Sequence, residues 1–129
     1  MFDASNYLIT VAEMPEFERA AAEVLTSEEI EGLIAYVSKQ PDDGRVITDT
    51  GGIRWLKWPA CGRKGARVIY FFHDLNMPVY LLTVLKPGER CRFNKTEKAR
   101  MRALVSELVQ QQWSSQVSPI LSSALRPIA

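Results

Sequence analysis

Three runs of aliphatic, aromatic and β-branched residues follow one another with very little chain between them. They are Ile53–Trp58, Ala66–Phe72 and Val79–Leu85. Gly62-Arg63-Lys64-Gly65 separates the first two, and the turn-forming segment Asp74-Leu75-Asn76-Met77-Pro78 separates the last two. Connections this short hold no crossover helix, so the three runs must form an antiparallel meander. Everything else in the chain has to pack on that sheet.

Helical patterns flank it. A short strand is expected over Asn6–Val11. A helix is expected to open at Pro15, because proline suits the first helical turn and Glu16 and Glu18 favour the positive end of the dipole. Thr26 or Ser27 should cap a second helix, in which Ile30, Leu33, Ile34 and Val37 form one apolar stripe. Pro41-Asp42-Asp43-Gly44 is turn chemistry. After a polar linker from Lys86 to Phe93, Asn94 and Glu97 have capping-box spacing for a last helix. Its apolar face is Met101, Leu104, Val105, Leu108 and Val109. The expected fold is therefore α+β: a small antiparallel sheet, two N-terminal helices packed on one face, and a C-terminal helix. The other face of the sheet is expected to be free to bind. The chain's 129 residues suit one domain, placed at 1–112, with an irregular tail at 113–129.

The net charge of +1 hides a strong segregation. Residues 1–53 hold eleven acids against three bases, net −8. Residues 54–102 hold twelve bases against three acids, net +9. A basic half of this kind suits a polyanionic partner. No apolar run reaches the roughly 18–20 residues of a membrane span, and Met1-Phe2-Asp3 is acidic where a signal peptide would be basic. Cys61 and Cys91 have no paired metal spacing and are expected as free thiols in a reducing cytoplasm.

Several chemistries lack their residues. His73 is the single histidine, placed where a strand meets a turn, so no histidine cage or Ser-His-Asp arrangement can be built beyond it. There is no phosphate-binding glycine loop and no carboxylate cluster on the strands. Basic residues on the sheet remain. Arg54, Lys57 and Arg67 lie on the strands, Lys86 follows the last one, and Arg63 and Lys64 lie between two of them. Strand parity sends Arg54 and Lys57 to opposite faces unless a bulge intervenes. Aromatic residues interleave with these bases. Phe71 and Phe72 read as core, and Trp55 and Trp58 as either core or base-stacking groups.

The segment Thr50-Gly51-Gly52-Ile53-Arg54-Trp55-Leu56-Lys57-Trp58, followed by Gly62-Arg63-Lys64-Gly65-Ala66-Arg67-Val68-Ile69-Tyr70-Phe71, resembles the RelE/HigB superfamily of toxins from bacterial type II toxin–antitoxin systems. Tyr80–Lys86 is similar to the strand of that family that ends in a basic residue, and the order of elements agrees over residues 6–110.

The resemblance implies a small cytoplasmic endoribonuclease that cuts mRNA on the ribosome and so inhibits translation. The implied reaction needs no metal or other cofactor: the ribose 2′-OH attacks the adjacent phosphodiester and leaves a 2′,3′-cyclic phosphate and a 5′-OH. Arg54, Lys57, Arg67 and Lys86 are the implied catalytic residues, with Arg67 on the scissile phosphate. Arg63, Lys64, Trp55, Tyr70, Arg90, Arg92 and Phe93 are the implied RNA-binding residues. Phe93 stands where some relatives carry a tyrosine; it can stack on a base but cannot move a proton. The implied partners are mRNA on the ribosome and an antitoxin of helix-turn-helix type, in a homodimer or a toxin–antitoxin hetero-oligomer. The alternative is a binding module on the same fold that engages RNA, ribosome or protein without cutting.

Overall fold

The computed structural model describes residues 9–60, 64–89 and 92–117. The order of elements is β1 (Val11–Glu13), α1 (Pro15–Val24), α2 (Ser27–Lys39), β2 (Arg45–Val46), β3 (Ile53–Ala60), β4 (Lys64–Phe71), β5 (Val79–Leu85) and α3 (Lys95–Val117). The fold is α+β, with five strands in the order β1-β5-β4-β3-β2.

The meander is present: β3 pairs antiparallel with β4, and β4 with β5. Two short edge strands extend it. β2 pairs antiparallel with the start of β3, and β1 runs parallel to β5, with Val11 opposite Val79. The sheet is therefore mixed rather than purely antiparallel. A parallel neighbour requires a long connection, and α1, α2 and β2–β4 together supply it. The first strand begins at Val11, later than expected, and residues 6–8 of that expectation lie outside the described residues.

The helix starts follow local chemistry. Pro15 opens α1 with Glu16 and Glu18 in its first turn. Thr26 caps α2 in a full capping box: its hydroxyl accepts from the Glu29 N–H at 3.1 Å, and the Glu29 carboxylate accepts from the Thr26 N–H at 2.8 Å. Asn94 and Glu97 repeat the device at α3, at 2.8 and 2.9 Å. The helix then continues to Val117 instead of ending near residue 112. No glycine or proline interrupts the chain between Asn94 and Pro119, so nothing local stops it earlier. The remainder of the expected tail, 118–129, lies outside the described residues.

Alternation along the strands sends residues to two cores. Phe17, Ala21 and Val24 of α1 and Leu33 and Val37 of α2 meet Ala66, Val68, Tyr70, Val79, Leu81 and Val84 on one face. Ile53, Ile69, Phe71 and Leu82 turn to the other face, where Val105 and Leu108 of α3 cover them. The face expected to be free is thus half occupied, because the apolar stripe of α3 must be buried somewhere. The Thr50-Gly51-Gly52 segment makes this docking close. Thr50 is buried; its hydroxyl donates to the Ile47 carbonyl at 2.7 Å and accepts from the Ile53 N–H at 3.1 Å. Gly51 has φ +83°, and a Cβ there would stand 3.3 Å from Val105 Cγ1. The Arg102 guanidinium donates to the Asp49 carbonyl at 2.7 Å from the adjoining helix face.

Candidate functional site

The uncovered half of the α3 face carries Arg45, Trp55, Lys57 and Arg67. The register explains the grouping. Arg45 is opposite Trp55, and Lys57 is opposite Arg67, with no register shift between β3 and β4. Like charges placed directly opposite on a sheet are destabilising, and among the described residues no carboxylate forms an ion pair with either of them.

Each cation has a built position. Arg67 places its guanidinium carbon 5.5 Å from the centroid of the Trp55 ring, and Arg45 places its own at 6.0 Å. Arg67 also donates to the Glu89 carbonyl at 3.3 Å. That carbonyl is aimed by a tight turn. The Glu89 N–H donates to the Lys86 carbonyl at 2.9 Å, Pro87 and Gly88 occupy the central positions, and Gly88 has φ +86°. This is type II turn chemistry, for which glycine at the third position is nearly required. The Glu89 carboxylate accepts from the Lys86 N–H at 2.8 Å and closes the loop. Lys57 runs along the sheet over Gly65, whose missing side chain leaves room for the lysine stem.

Arg54 is elsewhere, as parity requires. It lies opposite Tyr70 on the face covered by α1 and α2. Its guanidinium donates to the Asp42 and Gly44 carbonyls, both at 2.9 Å, while its Nε is buried without a hydrogen-bond partner. Tyr70 is fully buried there, and its hydroxyl accepts from the Gly44 N–H at 2.8 Å. Burial pushes the Tyr70 phenol above its ordinary pKa. Arg54 and Tyr70 thus hold the turn that leads into β2, and Tyr70 presents no ring to a ligand. Trp58 shares that face. It donates to the Glu29 carbonyl at 3.0 Å and packs against Tyr36.

Lys86 also stands apart from the Lys57–Arg67 pair. With Glu89 it lines a cleft of about 350 Å³ together with Glu16, Arg19 and Glu23 of α1. Phe93 is half-buried against the α3 core, and Arg92 is exposed. Arg63 and Arg90 lie outside the described residues, as do Cys61, Cys91 and the side chain of Lys64. His73 is exposed, 3.7 Å from the Asp74 carboxylate. Among the described residues no three His, Cys, Asp or Glu side chains gather as a metal-ligand set, and no helix is long and apolar enough to cross a membrane.

Of the residues expected at one site, Trp55, Lys57 and Arg67 come together, and Arg54, Tyr70 and Lys86 do not join them. Arg45 joins them without having been expected. The chain matches no known protein-family model. Chemically, the cluster offers three cationic side chains and an aromatic ring on an open surface. That combination suits a phosphodiester with an attached base.

Proposed function

We propose that the chain binds RNA on this face and cleaves it, acting on mRNA at the ribosome as the toxin of a toxin–antitoxin pair. The observation that carries the reading is the like-charged pair Lys57 and Arg67, set directly opposite each other with no carboxylate ion-paired to either among the described residues. Such a pair loses stability until an anion sits between the two charges. A phosphodiester is the anion that the resemblance to the RelE/HigB superfamily suggests.

In the proposed reaction the 2′-oxygen attacks phosphorus, and the bond from phosphorus to the 5′-oxygen breaks. The 2′-OH proton passes to water. The Lys57 ammonium gives a proton to the leaving 5′-oxygen and is reprotonated from solvent. Arg67 stabilises the charge that builds on the non-bridging oxygens. The products are a 2′,3′-cyclic phosphate and a 5′-OH. The same cationic face would receive an acidic segment of an antitoxin.

Two observations favour binding without cleavage. Phe93 packs into the α3 core and Arg54 is engaged by two carbonyls, so neither serves proton transfer or phosphate binding on this face. A single experiment separates the readings. Purified protein is added to translating ribosomes, and new 5′ ends are mapped by primer extension. Cleavage yields cyclic-phosphate ends that disappear with Arg67→Ala. Cosedimentation with ribosomes without new ends indicates a binding module. Intact mRNA with no cosedimentation sinks both.

A further inference from the structure

On the cationic face two guanidiniums share the Trp55 ring. Its neighbours on the same side of the sheet, Ile53, Ile69 and Phe71, are buried, whereas Trp55 is only half-buried. Arg45 reaches it from β2 and Arg67 from β4, at 6.0 and 5.5 Å. Neither arginine has a carboxylate partner among the described residues. A large aromatic surface left partly open is therefore occupied by two cations, for each of which a phosphate is a stronger partner than the ring.

We infer that Trp55 is a base-stacking platform held closed by Arg45 and Arg67, and that this face takes an unpaired nucleotide by exchange. A phosphate draws the guanidiniums off the ring, and the base then stacks on the face they vacate. The inference rests on the RNA reading above and adds to it the form of nucleic acid accepted. A bidentate charge-assisted bond to phosphate is stronger than an exposed cation–π contact. Stacking one base on an aromatic ring adds about 5- to 150-fold in affinity. Both halves of the exchange therefore run in the same direction. A base inside a duplex cannot take part, because its two faces are already covered by its neighbours.

Three anionic probes of equal phosphate number test this by fluorescence anisotropy: a labelled single-stranded RNA, its duplex, and an abasic ribose-phosphate oligomer. The full-length protein should bind the single strand about 5- to 150-fold more tightly than the abasic chain. Trp55→Leu should bring that ratio close to one while the abasic chain still binds. Trp55→Phe keeps an aromatic ring, should retain part of the ratio, and serves where the leucine variant fails to fold. Arg45→Gln should reduce the salt dependence by about 0.7 in log–log slope and leave the preference for bases in place. Equal binding of all three probes by the wild type, or a full preference surviving in Trp55→Leu, overturns the inference but leaves RNA binding standing. Binding of none of the probes overturns the RNA reading as well.

Discussion

Gly65 makes the space in which the Lys57 side chain lies. A Cβ at position 65 would stand 2.5 Å from Lys57 Cγ and 2.7 Å from its Cε. Gly65 is two pairs away from the Lys57–Arg67 pair, opposite Pro59 and on the same face. Its role is thus to let the lysine stem cross the sheet surface beside its like-charged neighbour.

Gly65→Ala should therefore move Lys57 while keeping the fold. The obstructing atoms belong to a flexible, exposed side chain that can swing into water, so the change in stability should stay within about 1 kcal/mol. RNA affinity should fall toward that of Lys57→Ala, by roughly 10- to 100-fold if a charge-assisted phosphate bond is lost. Thermal melts and binding titrations on the two variants check this. An unchanged affinity in Gly65→Ala would mean that the lysine does not need this path.

Gly44 offers the contrasting case. A Cβ there would stand 2.5 Å from the Tyr70 hydroxyl oxygen and 2.9 Å from the Trp55 carbonyl. Neither obstacle can yield, since Tyr70 is fully buried and the carbonyl belongs to a strand. Gly44→Ala should cost about 2 kcal/mol or more and lower the denaturant midpoint without changing which anions bind. A midpoint matching the wild type would show that the turn before β2 is looser than this packing requires.

The tyrosines set an alkaline limit. Burial holds the Tyr70 phenol protonated above its ordinary range; Tyr36 is raised first by its hydrogen bond to Asp43, and Tyr80 by burial. In the unfolded chain all three ionise near pH ~10. The contribution is fully present below that pH. As pH rises beyond it, the unfolded state binds fewer protons than the native one, so stability falls. Tyr70→Phe should be less stable at pH 7, by about 1–3 kcal/mol, because the Gly44 N–H loses its acceptor. Its further decline between pH 10 and 11 should be shallower than that of the wild type. Denaturant midpoints across that range provide the check, and parallel declines would remove Tyr70 from the account.

Much of the fold was legible because local signals agree with tertiary demands. Proline at 15, the Thr26 and Asn94 capping boxes and the short turns of the meander each act within a few residues. What escaped depends on distance. The β1–β5 pairing joins segments more than sixty residues apart, and two-residue β2 carries no periodicity to detect. Arg45 was missed for the same reason: its place beside Trp55 follows from a hairpin register that no local pattern announces. Parity, by contrast, separated Arg54 from Lys57 correctly. The motif likeness alone had grouped the two, since it records which residues recur and not which side of a strand they face.

That separation carries the most discriminating prediction. Arg54 and Arg67 are both arginines on neighbouring central strands, yet Arg54 donates to two carbonyls on the face covered by α1 and α2, whereas Arg67, with one longer bond to the Glu89 carbonyl, lies on the open face with Trp55 and Lys57. Arg54→Ala removes two hydrogen bonds from a charged donor to the Asp42 and Gly44 carbonyls. It should cost about 2–4 kcal/mol, offset in part because the partnerless buried Nε is also removed. Arg67→Ala relieves a like-charged cross-strand pair and should leave stability within about 1 kcal/mol of the wild type. RNA binding should show the reverse order. Folded Arg54→Ala, measured well below its melting temperature, should retain the salt dependence of the wild type. Arg67→Ala should lose affinity at least tenfold and flatten that dependence by about 0.7 in slope. If the two variants lose stability and affinity in parallel, the division of the sheet into a structural face and a binding face is wrong.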